Sequence, residues 1–549
     1  MVRNSYLKKL FRSSKQISFW SLVTLLCGLL LIGPFVSMFY LATGNSEGLW
    51  FHLIQTVFPR YVINTLLLMA GVGILSLFFG LSSAWVIARF HFYGDRFFEW
   101  VLLLPATVPS YLIAYTYTDL LEYAGPIQGF LRKIFGWNSA ADYWFPEIRS
   151  MGGAILVMSA VLYPYIYLMA RTAFRLTPIS YYEVSRVHNR NFSFAVDLPL
   201  ARPAIFAGLA LVLMEVVSDF GTVEFFAVET LTLGIFNVWL GMNNLTAAVQ
   251  IAGIAFIFIL GLLYIERTAR SRQRFTDTTQ RNSSIPKRQA DGWTSILSIV
   301  ICCLPVLLGF IIPVIILLNF VFKGLSITEI DLLFSSAFNS LVLACSAAVC
   351  VMVLSTIMVI VVTYKGHPVL KILSAVSATG YAFPGVVLAI GVISFSGSID
   401  AVIQWVASKL FGLDDYGLIL GSIGLLIFAY VVRFQAIGFG AITSGVSRLS
   451  PNVMNASFLL GRGFSNSLLF LAPRLLRKSI LAGGLLVFVD VMKELPMTLL
   501  LRPFNFETLS TYVYQFANNE LLEEAALAAL VIILAGLGPV ILMNSSQRK

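Results

Sequence analysis

The chain has 549 residues, of which 58% are hydrophobic and 12% charged, with a mean hydropathy of +0.85. That balance excludes a water-soluble globule and sets the expectation of an all-α, polytopic membrane protein. The formal net charge is +10, and because its Lys and Arg sort by topology, as shown below, no nucleic-acid partner is needed to explain it.

Apolar runs long enough to cross a bilayer, about 20 residues each, fall in chain order at 18–42, 61–89, 98–122, 151–170, 203–226 and 246–265. A second set follows at 293–320, 337–363, 372–397, 415–437, 478–502 and 523–544. The expectation is therefore twelve transmembrane helices in two tandem six-helix modules, 1–265 and 293–549, with both termini on one side. The segment 266–292 between them is polar and basic and reads as a cytoplasmic linker. The first run is longer than a signal-peptide core and is expected to stay as an anchor.

Orientation follows from Lys and Arg, which concentrate in cytoplasmic loops. With the N-terminus inside, 28 of the 37 fall in cytoplasmic segments and six in outer loops, with Arg433 and Arg502 at expected helix ends and Lys493 inside a span. The five cysteines, Cys27, Cys302, Cys303, Cys345 and Cys350, lie in apolar runs without a CxxC pattern, so neither a disulfide framework nor a zinc site is expected. The four histidines are scattered over different loops, and no stable metal site is expected.

The two modules repeat at an offset of 275 residues. Asn64 in NTLLL matches Asn339 in NSLVL, Pro109 in VPSYLIA matches Pro384 in FPGVVLA, and RPAIFAGLALVLMEVVSDFG aligns without gaps to RKSILAGGLLVFVDVMKELP. Each of these last two apolar segments carries two carboxylates four residues apart, Glu215 with Asp219 and Asp490 with Glu494. Residues at that spacing share a helix face, and a carboxylate within a span is read as functional. These four, with Glu224 nearer the outer end, are candidates to line or gate a translocation path. A bracing role, for example pairing with Lys493, explains the same residues about equally well.

The longest cytoplasmic loops immediately precede the carboxylate segments: YYEVSRVHNRNFSFAVDLPLARP at 181–203 and NVMNASFLLGRGFSNSLLFLAPRLLRK at 452–478. Each combines a short helical stretch, a turn, an amphipathic piece and a proline, and suits a helix lying on the membrane surface before a soluble partner. At these residues the chain resembles the permeases of binding-protein-dependent ABC importers, whose cytoplasmic signature has the form EAA, three residues, Gly, then a hydrophobic position and LP. The first copy is Glu183, Val184, Ser185, with Asn189 where the glycine is expected, then Leu198 and Pro199; the second is Asn455, Ala456, Ser457, Gly461, then Ala472 and Pro473. SDFGTVEFFAVETLTLGIF and VDVMKELPMTLLLRPFNFETLSTYVYQFANNE extend the resemblance to the fused, two-module ferric iron permeases.

The resemblance implies the type I importer permease fold and a multi-pass protein of the bacterial inner membrane with cytoplasmic termini. Its cargo would be Fe(III) handed over by a periplasmic binding protein. Two copies of an ABC ATPase would dock on the loops containing Glu183, Ser185, Asn189, Pro199, Asn455, Ser457, Gly461 and Pro473. The chain itself has no GxxxxGK[ST] loop, so it is not expected to be an enzyme or to bind a cofactor. Similar permeases serve thiamine, phosphonate or polyamines. A secondary transporter whose carboxylates carry protons is the rival from another class, and a structural assembly factor is a third.

Overall fold

A computed structural model of the protein describes residues 18–187, 196–271, 285, 287–324, 329–412, 419–450 and 452–547. Among them helices dominate, and the strand content is a two-residue parallel pairing of Phe90–His91 with Arg288–Gln289. Among the described residues nine helices are long and apolar enough to cross a membrane, and a bent pair taken as one span makes a tenth. The protein is an all-α, multi-pass membrane protein.

Of the twelve expected spans, ten are met by helices of this kind, and they are not all straight rods. The third is broken: Asp95–Thr107 and Ser110–Phe135 meet at 91°. The cause is local, because a proline disfavours helix at the residue before it; Val108 and Pro109 are extended, and Pro109 caps the Ser110–Leu121 helix. The same device recurs at the 275-residue offset, where Phe383 and Pro384 are extended before the Gly385–Phe411 helix. The sixth is carried by Leu245–Ser271, whose apolar run is Leu245–Gly261, and the eleventh by Arg477–Met492, only 16 residues long.

The chain divides into two compact units that cut across the sequence halves. One contains residues 1–45 and 331–511, the other 46–330 and 512–549. In the first unit, Phe19–Ala42 packs along Gly385–Phe411 and Pro368–Ser377, with Ser37 and Ser394 hydrogen-bonded at 2.6 Å. Its core on one side gathers Met352, Val359, Ile442, Leu468 and Leu476.

In the second unit, Phe58–Arg89 packs along Met151–Arg175, which in turn packs against Leu198–Ser218. Trp293–Gly324, the first span of the sequence's second half, belongs here, and its later part packs along Leu522–Gln547. A π-helical turn at Leu307–Ile311 lets Gly309 approach the Ala160 carbonyl so closely that a Cβ would stand 2.1 Å from its oxygen. Apolar side chains including Phe79, Ile87, Leu102, Tyr163, Phe174 and Cys302 fill the core beside it.

The duplication is visible as repeated hydrogen bonds. In one unit Asn64 Nδ2 donates to the Glu229 carbonyl at 3.0 Å and the Leu231 amide donates to Thr65 Oγ1 at 3.0 Å. In the other Asn339 Nδ2 donates to the Glu507 carbonyl at 3.0 Å and the Leu509 amide donates to Ser340 Oγ at 2.7 Å. Each pair of adjacent polar residues early in a long helix satisfies backbone groups of a distant loop, which an apolar surrounding would otherwise leave unpaired at a cost of about 1–3 kcal/mol each.

Candidate translocation and coupling sites

The carboxylate helices end where the acids begin. Leu198–Ser218 stops with Asp219 extended at its C-terminus, and a separate short helix, Gly221–Phe225, follows. Arg477–Met492 stops before Lys493 and Glu494, and Pro496–Leu501 follows. The expectation that each pair shares one face of a continuous helix is therefore corrected, because the second acid of each pair lies outside the helix that carries the first. A side-chain acceptor placed there satisfies the free amide groups at the start of the next helix.

Asp219 acts in that way. Its Oδ1 accepts the Thr222 amide at 2.9 Å, its Oδ2 accepts the Thr222 hydroxyl at 3.0 Å, and Ser110 Oγ donates to the same carboxylate. Glu494 is its counterpart at the 275-residue offset: Oε1 accepts the Met497 amide at 3.2 Å. The position of Ser110 is taken here by Gly385, and Arg433 Nη1 donates to Glu494 Oε1 at 3.1 Å. A Cβ on Gly385 would lie 2.2 Å from that guanidinium nitrogen and 2.8 Å from Glu494 Oε1. A neutral hydroxyl in one copy is thus replaced by a buried ion pair in the other, and the missing side chain makes the room.

Arg433 was expected at a helix end; it lies well inside Ile423–Ser447 and is 8% exposed, against 6% for Glu494. The signal was present in the sequence, since an arginine within an apolar helix requires an acidic partner. Asp490 pairs with Lys493 at 2.8 Å, the bracing partner that the sequence had offered. Glu215 is half-buried near the end of its helix. Glu224, in the short helix after Asp219, accepts a 2.6 Å hydrogen bond from Tyr514.

The two signature segments form short helices, Ile179–Val187 and Val453–Leu459. They present matching residues alike: Glu183 and Asn455 are exposed, while Ser185 and Ser457 are buried. Ser185 Oγ donates to the Tyr182 carbonyl at 2.9 Å, and Ser457 shares a 2.9 Å hydrogen bond with Ser467. Gly461 has φ +77, a left-handed conformation that favours glycine and tolerates asparagine. Asn189, the matching residue, lies outside the described residues. Pro199 lies in the first turn of Leu198–Ser218, and Pro473 borders an apolar groove with Met352 and Phe488. Val187 is 83% exposed, Leu459 89% and Leu460 82%.

An ionic cluster that the sequence did not single out anchors the first of these loops. Arg89, at the end of Phe58–Arg89, donates from Nε to Asp197 Oδ2 at 2.8 Å and from Nη2 to the Phe174 carbonyl at 2.8 Å. It thereby joins the ends of two long helices to the residue where the loop re-enters the membrane. Glu99 pairs with Arg175 at 2.9 Å and with Arg171 at 3.5 Å, and Lys287 of the linker pairs with Asp95 at 2.9 Å. Spacing along the chain hides such a cluster, because its members are up to 198 positions apart in number, from Arg89 to Lys287.

The segment after the bent span, expected on the outer side, is also organised. Trp137 stacks between Phe135 and Tyr143 at ring separations of 4.7 and 4.6 Å, and Asp142 Oδ2 accepts the amides of Ser139 and Asn138 at 2.8 and 2.7 Å. Those amides hold the Asp142 carboxyl below the usual carboxylate range, the Ser139 bond contributing most. Tyr143, Gln128 and Arg149 border a cavity of about 710 Å³ beside it. Among the described residues no group of three or more His, Cys, Asp or Glu is arranged to hold a metal ion.

No family model matches the chain. It is similar to the Fe(3+)-transport system permease protein FbpB 2 of Haemophilus influenzae, with 26% identity over 541 residues, which covers 96% of this chain and 98% of that one. It is also similar to the putative 2-aminoethylphosphonate transport system permease protein PhnU of Salmonella typhimurium, at 27% over 222 residues, 39% of this chain and 76% of that one. A third likeness is to the molybdenum transport system permease protein ModB of Haemophilus influenzae, at 27% over 141 residues, 25% of this chain and 58% of that one. Together with the all-helical spans, these likenesses, each to a transport system permease protein, point to one class of membrane transport protein. Its likeness to the Fe(3+) permease runs through both halves, whereas the phosphonate and molybdenum likenesses each cover less than half of it.

Proposed function

We propose that this chain is the membrane-spanning subunit of an importer that moves Fe(III) into the cytoplasm, with both termini on the cytoplasmic side. The observation that carries the cargo is the likeness to an Fe(3+)-transport permease over 96% of the chain. A periplasmic binding protein delivers the ion, and the outer segment around Trp137 and Arg149 is the surface offered to it. Two copies of a separate ATPase supply the energy, one on each short cytoplasmic helix.

Two features support that coupling. Val187 on one helix and Leu459 with Leu460 on the other are apolar and exposed outside the spans, where a docked partner would cover them. Each loop also leads directly into a helix that breaks at a capping carboxylate, Asp219 or Glu494. A push on the short helix therefore reaches a break in the membrane segment. In the first copy the push passes Asp197, which Arg89 ties to two neighbouring helices.

Uptake of radiolabelled iron in a strain deleted for this chain and lacking a redundant importer tests the reading. Restoration by the chain at limiting iron is expected, with loss when the partner ATPase is inactivated. Undiminished uptake without the ATPase, abolished by an uncoupler, would instead establish an ion-coupled transporter. Uptake of labelled 2-aminoethylphosphonate but not iron would reassign the cargo.

A further inference from the structure

Residues that this fold needs recur in both copies: Asn64 with Asn339, Pro109 with Pro384, and the capping acids Asp219 and Glu494. Among the polar residues of the first copy that do not recur, three lie close together. At the 275-residue offset Tyr111, Tyr115 and Glu224 are replaced by Val386, Ile390 and Leu499. Val386 and Ile390 are fully buried hydrocarbon. The second copy shows that the architecture closes without hydroxyls or a carboxylate at these places, so their presence in the first copy calls for a use other than folding.

Within their compact unit these residues converge with Tyr514. The Tyr514 hydroxyl donates to Glu224 Oε1 at 2.6 Å and the Asn518 side chain lies against both groups, while Glu224 Oε2 is buried without a close hydrogen bond of its own. Tyr115 is 2% exposed and its hydroxyl also lacks a partner. Its ring lies 5.9 Å from Tyr111 and 4.5 Å from Phe225, the residue after Glu224. It is near enough to interact electrostatically with Glu224, Tyr514 and Asp219. Buried oxygens are ordinarily paired, and each one left unpaired costs about 1–3 kcal/mol. Here one carboxylate oxygen and one phenol oxygen are left unpaired beside a second phenol.

A carboxylate flanked by phenols is a set of hard, potentially anionic oxygen donors. Such donors suit hard cations, and a phenolate is an established ligand of ferric iron, as in the tyrosine-ligated haem of catalase. We propose that Glu224, Tyr115 and Tyr514 form a transient oxygen-donor station for the ferric ion as it crosses this compact unit. The station rests on the iron reading above. The Tyr514 to Glu224 hydrogen bond keeps the station closed in the structure described.

The test uses the full chain with its importer partners in the deletion strain, at matched expression. Glu224→Gln, Tyr115→Phe and Tyr514→Phe are each expected to lower labelled-iron uptake at least about tenfold, with Glu224→Asp retaining part of the rate. Tyr117→Phe removes a hydroxyl that donates to the Leu308 carbonyl at 2.8 Å and is expected to stay within about twofold of the parent. A second readout is the visible charge-transfer band of a phenolate–Fe(III) bond, sought with ferric citrate on the purified full chain in nanodiscs. The band is expected for the parent and absent when both Tyr115 and Tyr514 are Phe. If the parent chain restores iron uptake and the three variants match it, the station is wrong and the iron reading stands. If the parent restores none, the iron reading fails and takes the station with it. Absence of the band from the parent overturns the station too.

Discussion

Replacing Glu494 by Gln keeps an acceptor for the Met497 amide but removes the charge that Arg433 faces at 3.1 Å. At that distance and an effective dielectric of about 20, the attraction is roughly 5 kcal/mol. Desolvating the two ions offsets most of it, so the intact pair adds little net stability, whereas removing one member strands the other and costs about 3–5 kcal/mol. Stranding is severe here because Arg433 Nε already lacks a hydrogen-bond partner and both residues are nearly inaccessible. For a unit of this size, about 2–4 °C of melting temperature accompanies each kcal/mol. Glu494→Gln and Arg433→Met are therefore each expected to lower the melting temperature by about 6–20 °C. The double variant leaves no stranded charge and is expected to lie within about 5 °C of the parent. Thermal unfolding of the purified chain in nanodiscs, followed by fluorescence and by size exclusion, measures all three. Losses that simply add in the double variant would refute the pairing argument, as would single variants that melt like the parent. Gly385→Ala places a methyl where the guanidinium sits and is expected to resemble Arg433→Met.

Three further outcomes are expected. Gly461→Asn should leave ATPase-coupled uptake near normal, because asparagine tolerates the left-handed backbone, whereas Gly461→Val should cost about 1–2 kcal/mol locally and lower uptake; equal activity of the two would contradict the role of the turn. Arg89→Ala should uncouple more than it destabilises, raising the ATP hydrolysed per iron imported, since Asp197 loses its tie to the Phe174 end of its neighbour; an unchanged ratio would remove Arg89 from the transmission route. Asp142 has a carboxyl held below its unfolded value, so its contribution to the outer turn is present above the ordinary carboxylate range near 3.9 and lost as pH falls through the lower folded value. Tryptophan fluorescence of the stacked Trp137 should report that loss in the parent but show no such step in Asp142→Asn.

Much of the architecture was legible because hydropathy and repetition act over short distances. The apolar runs, the 275-residue offset and the two short signature helices were all readable from local composition, and Asn64 and Asn339 prove to make the same bond. The carboxylate pairs were legible as residues but not as geometry. The spacing of four suggested one helix face, yet a helix can end at any residue whose side chain satisfies the next helix's amides, and Asp219 and Glu494 do that.

The sequence by itself determined that this chain lives in a membrane, that it is duplicated, and where short helices precede the carboxylate segments. Burial of apolar side chains and the need to close backbone hydrogen bonds within each span leave few alternatives. Only the tertiary structure decided which charges meet. Arg433 finds Glu494 across 61 positions, Arg89 finds Asp197 across 108, and Tyr514 finds Glu224 across 290. It also decided that each compact unit takes the first span of the opposite sequence half. These pairings depend on how helices pack side by side, which the order of residues along one helix does not encode.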